Sequence, residues 1–228
     1  MNRLRNKLFI FDKDGTLNHF NKSFIPWIKE VVCHIDKNIQ LDIFKTLGVN
    51  IKNNTLFSSK SPFAIETHTE LKTRIKPCVS SCTVVEAQLI YHKLDNLSIN
   101  QVPVDNITSI INSLMVNNKV ALYTSDNYLH THNFIRKNNL SFNSIIHSES
   151  NNFASKTNLS TTSIDYLMNI YNIYGKENVF FISDTINDIK IGNKANIGTI
   201  GVLSGTGSKK ELQEFSDIVV DDINYLLI

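Results

Sequence analysis

The sequence has few cysteines, no long apolar run and no surplus of charge of one sign, and each shortage excludes something. Its 228 residues include three cysteines, Cys33, Cys78 and Cys82. An odd and small number cannot staple a chain of this length, so reduced thiols are expected. Cys78 and Cys82 stand four apart, a spacing that suits one helix face. No neighbouring Cys or His pair completes a tetrahedral zinc site there. The longest apolar runs, such as residues 8–11 and 179–182, are strand-sized, against the roughly 20 residues that a membrane span needs. No membrane partner is expected. The apolar stretch after Lys7 ends at Asp12, too short for the core of a secretory leader, so the expected location is cytoplasmic. Lys and Arg number 23 against 21 Asp and Glu, a formal charge of +2. Such a balance argues against a protein that holds nucleic acid by bulk electrostatics.

What is present is an ordinary globular composition, 42% hydrophobic, in a chain long enough for one large domain or for a domain carrying a smaller one. Residues 7–11 (Lys-Leu-Phe-Ile-Phe) form a short apolar run ended by Asp12-Lys13-Asp14-Gly15-Thr16. Such a run reads as a buried strand of a parallel sheet with a glycine turn at its carboxyl end. Residues 119–123 and 178–182 read as further strands, stopped by Thr124-Ser125-Asp126 and Ser183-Asp184, and residues 198–203 as another. Ile164, Leu167, Met168 and Tyr171 recur at helical spacing, with Gly175 expected as the C-cap of that helix. Ser208 and Glu211 are placed as a capping box. Strands alternating with helices from residue 104 onward imply an α/β class, a Rossmann-like parallel sheet with helices on both faces.

Residues 18–102 differ in character: they hold all three cysteines, Trp27 and three of the four prolines. A stretch of this length is too long for a loop. Ile25, Ile28, Val31, Val32, Ile35 and Ile39 recur at helical spacing, and residues 83–94 also suit a helix. The expected organisation is an α/β core of residues 1–17 and 103–228, with a small, mainly helical insert of residues 18–102 after the first strand.

The chemistry-bearing residues collect at strand ends. Asp12 and Asp14 stand two apart where an extended chain leaves the sheet, so both side chains can face one side. Open α/β sheets bind ligands at the carboxyl ends of their strands. Asp184 and Asp188 follow another strand, four apart at a helix start, and share a face. If the strands are neighbours, four carboxylates meet, and an all-oxygen site of that kind suits Mg²⁺. Each pair taken alone reads as a turn or a helix cap, where Asp is favoured. Two pairs at strand ends point to a site. Thr124 offers a hydroxyl and the next backbone N–H, that of Ser125, where a helix is expected to begin, as a phosphate site or as a plain N-cap. Lys156 follows residues 148–155 and by itself reads as a surface lysine.

The string Phe11-Asp12-Lys13-Asp14-Gly15-Thr16-Leu17 resembles the first motif of the haloacid dehalogenase (HAD) superfamily, in the form typical of its phosphatases. Three further segments are similar to the remaining motifs, in order. They are Ala121-Leu122-Tyr123-Thr124, Lys156, and Ser183-Asp184-Thr185-Ile186-Asn187-Asp188. Three positions depart from the usual pattern: Ser183 stands where Gly is common, Thr157 where Pro follows the lysine, and Ser125 where Asn is frequent.

The resemblance implies an enzyme, a phosphoric monoester hydrolase, and roles for its residues. Asp12 is implied as the nucleophile that takes the phosphoryl group as an aspartyl-phosphate. Asp14 is implied as the general acid that protonates the leaving alcohol and then as the base that activates water. The Mg²⁺ ligands implied are the carboxylates of Asp12 and Asp184, the backbone carbonyl of Asp14, and Asp188 directly or through water. Thr124, the Ser125 amide and Lys156 are implied to hold the phosphoryl oxygens. The insert resembles the superfamily's helical type 1 cap, which selects the leaving group. Within it, Lys60, His68, Lys72 and Arg74 are candidates to meet a substrate carboxylate, or else solvated surface residues.

The Asp-Lys-Asp-Gly-Thr-Leu string with Pro26-Trp27 is similar to proteins of phosphoglycolate phosphatase type. The expected partner is a small phosphorylated metabolite, with 2-phosphoglycolate as first candidate, acted on by a monomer or homodimer. A sugar phosphomutase, a nucleotide or pyrophosphate phosphatase and a phosphonatase are the alternatives on the same scaffold. A non-catalytic binding protein is the reading furthest from the residues. The seven histidines receive no role.

Overall fold

The computed structural model describes residues 5–66, 68–95, 100–147, 150 and 161–227. In chain order the elements are β1 (Leu8–Phe11), α1 (Phe20–Val32), α2 (Lys37–Leu47), a small hairpin of β2 (Val49–Asn50) and β3 (Thr55–Leu56), α3 (Pro62–Ile65), α4 (His68–Val79) and α5 (Val84–Asp95). There follow α6 (Ile107–Met115), β4 (Lys119–Tyr123), α7 (Tyr128–Lys137), β5 (Ser144–Ile146), α8 (Thr161–Ile170), β6 (Val179–Ser183), α9 (Ile186–Ala195), β7 (Gly198–Val202), α10 (Lys209–Phe215) and β8 (Ile218–Val220). They fall into two units, residues 1–19 with 103–228 and residues 20–102.

The first unit is built on a six-stranded sheet in the order β5-β4-β1-β6-β7-β8, every pair parallel. All four residues of β1 are buried, as expected of a strand covered on both faces. Its period of two divides the core. Phe9 and Phe11 join Val120, Leu122 and Ile182 on one face, where α6 contributes Ile107, Ile110, Ile111 and Leu114. Leu8 and Ile10 join Ala121, Tyr123 and Phe181 on the other, with Ile164 and Leu167 of α8 and Ile191 of α9. The α/β sheet with helices on both faces is therefore as the alternation of strands and helices implies.

Position within the sheet matters more than its size. β1 is central, and in its register Phe11 pairs with Leu122 of β4 and with Ile182 of β6. The three strands therefore release their chains at one level, and the residues that follow each end are gathered at the carboxyl edge. The chain departs to opposite sides from β1, the switch point at which such sheets open a crevice.

Some local details differ from the sequence expectation. α8 stops at Ile170, closed by Asn172 in the left-handed region at φ 52° with the Ile173 N–H returning to the Met168 carbonyl at 2.9 Å. Gly175 lies beyond it, at φ 91°, and opens a 3₁₀ turn over residues 176–178. An Asn tolerates the left-handed region and so does the work assigned to the glycine. The Ser208–Glu211 capping box is present as expected. β5 and β8 have three residues each, too few to leave a periodic signal.

The second unit packs around one apolar cluster that includes Ile25, Trp27, Ile28, Val31, Ile43, Leu47, Phe63, Ile75 and Ile90. Helices predominate, with the β2–β3 hairpin as an addition. α2 is capped at both ends: the Asp36 carboxylate accepts the Asn38 N–H at 2.8 Å, and Gly48 at φ 75° returns its N–H to Lys45.

Candidate active site

The turn after β1 is tightly wound. The Asp12 N–H extends the ladder to the Ile182 carbonyl at 2.9 Å, and the amides of Thr16, Leu17 and Asn18 all return to the Lys13 carbonyl. Gly15 takes φ 87°, and a Cβ at this position would run into the Asp184 carboxylate. No side chain fits there on either ground. This winding brings the Thr16 hydroxyl between two carboxylates, 3.4 Å from Asp12 Oδ2 and 3.5 Å from Asp184 Oδ1, while it accepts the Asp184 N–H at 3.1 Å. A hydroxyl has one proton, so it serves one of the two oxygens at a time.

Asp12 and Asp184 are both fully buried. Asp184 is enclosed from a second direction by the loop after β7, whose Thr206 donates its N–H and its hydroxyl to Asp184 Oδ2 at 2.7 and 3.0 Å. Gly205 in the same loop approaches so closely that an added Cβ would overlap that carboxylate. Asp188, also fully buried, is held separately. The Ser183 hydroxyl donates to its Oδ2 at 2.7 Å and accepts the Thr185 N–H at 3.1 Å. Asp188 Oδ1 is buried with no hydrogen-bond partner among the described residues.

Asp14 is turned elsewhere. Its Oδ1 is paired with Lys13 Nζ and accepts from Asn18 Nδ2 at 2.8 Å. The four carboxylates thus do not form one cluster, and among the described residues no three His, Cys, Asp or Glu side chains group closely enough to hold a metal. The physical reason is repulsion: four like charges at one point are unfavourable, and each finds its own donors. The residues present still fit Mg²⁺, which keeps several waters and takes one or two carboxylates. Asp12 and Asp184 would supply two and the Asp14 carbonyl a third oxygen, and Asp188 Oδ1, buried with no hydrogen-bond partner among the described residues, is a further acceptor.

Thr124 follows β4 and is buried; its N–H goes to the Ile146 carbonyl at 2.9 Å, and its hydroxyl accepts the Asp126 N–H at 3.1 Å. Ser125 is exposed. α7 begins at Tyr128 on an Asn127 cap, so Thr124 and Ser125 precede the helix rather than start it. Asn127 outcompetes Thr124 as the cap because its side chain reaches the His130 N–H at 2.9 Å. Lys156 lies outside the described residues.

Sequence reasoning gave Lys13 no part. It is fully buried, and its ammonium is paired with Asp14 and, at 3.1 Å, with Asp126 Oδ2, 5.3 Å from the centre of the Phe134 ring. Asp126 Oδ1 in turn lies 3.2 Å from His130 Nδ1. Burial alone would lower the Lys13 pKa, but Asp14 and Asp126 outweigh it and raise it. Burial would likewise raise the Asp126 pKa, yet Lys13 and His130 hold it well below the usual carboxylate range. The available signal was a lysine set between two aspartates just after an apolar strand, a place where a cation is buried only if paired.

Comparison with known proteins agrees with this architecture. Residues 158–226 match the family model of HAD-hydrolase-like proteins. No curated protein is significantly similar. Among solved structures, a candidate HAD-hydrolase from Bacillus subtilis, bound to magnesium, has a TM-score of 0.66 at 16% identity over 97% of each chain. A protein named as a predicted phosphoglycolate phosphatase from Haemophilus somnus has 0.65 at 17% identity, over 97% of this chain and 96% of that one. A candidate β-phosphoglucomutase from Thermotoga maritima has 0.60 at 15% identity, over 97% and 96%. The chain has the fold of these haloacid dehalogenase-like hydrolases, and its residues 158–226 are similar to the HAD-hydrolase-like family.

Proposed function

We propose that the chain is a Mg²⁺-dependent phosphatase of a small phosphorylated metabolite, working through an aspartyl-phosphate on Asp12, with 2-phosphoglycolate as first candidate. One observation carries the reading. Two fully buried carboxylates, Asp12 and Asp184, flank a single hydroxyl at the carboxyl ends of adjacent parallel strands, with two glycines pressed against one of them. Buried acids so placed are costly to stability, and a structure that keeps them does so for chemistry. The names of the similar structures support the phosphate-ester class.

A carboxylate oxygen of Asp12 attacks phosphorus while the bond to the leaving oxygen breaks, and Asp14 gives that oxygen its proton. The resulting Asp14 carboxylate then takes a proton from water as the water oxygen attacks phosphorus and the bond from phosphorus to the Asp12 oxygen breaks, which frees inorganic phosphate and returns the Asp12 carboxylate. Bound Mg²⁺ supplies charge neutralisation between Asp12 and the anionic phosphate, with Asp12, Asp184, the Asp14 carbonyl and Asp188 to hold it. Thr124, the Ser125 amide and Lys156 orient the phosphoryl oxygens. A phosphomutase is the second reading, favoured by the likeness to the candidate β-phosphoglucomutase.

The test is phosphate release, with and without Mg²⁺, from 2-phosphoglycolate, sugar phosphates, nucleotides and pyrophosphate. The expected result is a Mg²⁺-dependent rate that Asp12→Asn lowers by about 10³-fold or more, with the circular dichroism spectrum unchanged. Turnover that survives this substitution overturns the assignment. A persistent phosphoprotein with slow net release selects the mutase.

A further inference from the structure

The Asp14 carboxylate is not symmetric. Its side chain is 21% exposed, and among the described residues both side-chain donors that reach it fall on the same oxygen. Lys13 Nζ and Asn18 Nδ2 are both bound to Oδ1. Asn18 is itself fixed, its Oδ1 accepting the Gly15 N–H at 3.0 Å, and it is fully buried. Lys13 is fixed from the far side by Asp126, and Asp126 by His130. A chain of charges thus runs from α7 through the interior of the α/β unit and ends on one oxygen of one carboxylate.

We propose that Lys13, anchored by Asp126, is a positioning residue for Asp14, reserving Oδ1 for structure and leaving Oδ2 as the atom that carries and passes the proton. The inference rests on the phosphatase reading, in which Asp14 is the acid. A protonated carboxyl has one O–H. With Oδ1 saturated by two donors, a proton on that oxygen would face other protons, so it resides on Oδ2. When the phosphorus–oxygen bond of the ester breaks, its electron pair stays on the leaving oxygen, and the Oδ2 proton transfers there. Asp14 is left as a carboxylate whose new charge faces the Lys13 ammonium across a buried contact, where such pairing counts for more than in water. Without Lys13 the carboxyl is held by Asn18 alone and can rotate and exchange its oxygens, so its proton is less often aimed at the leaving oxygen.

The placement separates this role from simple packing. A lysine needed only to fill space here would be replaced by an apolar chain at less cost, since a buried ion pair is on balance no more stabilising than well-packed hydrophobic residues. Asp126, half-buried, adds a carboxylate whose partners are Lys13 and His130, outside the Asp12–Asp184 pair.

The leaving-group dependence of kcat/KM tests this, because it reports phosphoryl transfer to Asp12 and not the later hydrolysis. Substituted phenyl phosphates are used, from p-nitrophenyl, which leaves as a stable anion, to p-methoxyphenyl, which needs a proton. Lys13→Met is expected to lose about tenfold more rate with the p-methoxyphenyl ester than with the p-nitrophenyl ester, a fraction of the full general-acid contribution. Asp126→Asn, which keeps the lysine and is the milder change, is expected to shift the dependence in the same direction if Lys13→Met does not fold. Asp14→Asn sets the limit. If Asp14→Asn steepens the dependence and neither other variant does, the positioning role is overturned while the phosphatase reading stands. If Asp14→Asn leaves the dependence unchanged, the assignment of the acid itself fails. A uniform loss with all esters in Lys13→Met and Asp126→Asn assigns the pair to packing and also overturns the proposal.

Discussion

The two units handle charge in opposite ways. In the α/β unit Asp12, Lys13, Asp184 and Asp188 are all fully buried, and each is held by named donors or counter-charges. In the helical unit the only buried polar side chains among the described residues are Ser23 and Ser61. Its ion pairs, Lys72–Asp95 and Arg74–Glu66, lie at the surface. One unit is an apolar core with solvated charges, as stability by itself prefers. The other accepts the cost of buried charge at one edge of one sheet. The contrast marks the carboxyl edge of the sheet as the candidate site before any motif is invoked, because buried charges cluster at functional sites.

This contrast can be broken by substitution, and the largest effect is expected at Lys13. Lys13→Ala leaves Asp14 and Asp126 without their shared cation and should lower unfolding stability by about 3–5 kcal/mol in urea titrations. A loss under 1 kcal/mol would mean that the pair is solvated in solution. Gly205→Ala comes next. The added methyl must displace either its loop or Asp184, and Mg²⁺ affinity measured by calorimetry should fall about 10- to 100-fold. Unchanged affinity would remove Asp184 from the metal site.

Asp126 sharpens the comparison through pH. Its carboxyl is held below the ordinary value of 3.8. The stability it contributes is therefore complete above that value and is lost as pH falls below it. Asp126→Asn should give an acid-unfolding curve that is flatter below about pH 4 and parallel to the parent above it. Parallel curves throughout would show that the Lys13–Asp126 pairing contributes nothing. The smallest effect is expected in the helical unit: Lys72→Ala should change stability by less than about 0.5 kcal/mol, and a larger change would erase the distinction between the units.

The central part of the fold was legible in the sequence for a simple reason. β1, β4, β6 and β7 are apolar runs interrupted sharply by Asp, Thr or Ser, and a strand buried on both faces cannot be written otherwise. β5 and β8 were not legible, since three-residue strands are specified by their neighbours' open edges more than by their own pattern. Gly175 misled because glycine is only one of the residues that tolerate the left-handed region, and Asn172 reached it first. For the candidate site, spacing put Asp12 and Asp14 at one strand end and Asp184 and Asp188 after another at a helix start; in the structure Asp12 and Asp14 follow β1, Asp184 follows β6, and Asp188 lies in the first turn of α9. The structure also divides them, with Asp12 and Asp184 about Thr16, Asp14 on Lys13 and Asn18, and Asp188 on Ser183.

The sequence by itself determined which chemistry could be present, because the residue types and the ends of apolar runs are local properties of the chain. Tertiary structure decided which groups share a neighbourhood and which donors hold each carboxylate. Lys13 meets Asp126 across more than a hundred residues, and Thr206 reaches Asp184 from another loop. Those contacts follow from the register of β1 with β4 and of β6 with β7, a pairing of distant segments that no local pattern encodes. Hydrogen-bond donors have direction as well as identity, so only the folded chain could distinguish Asp14 Oδ1 from Oδ2.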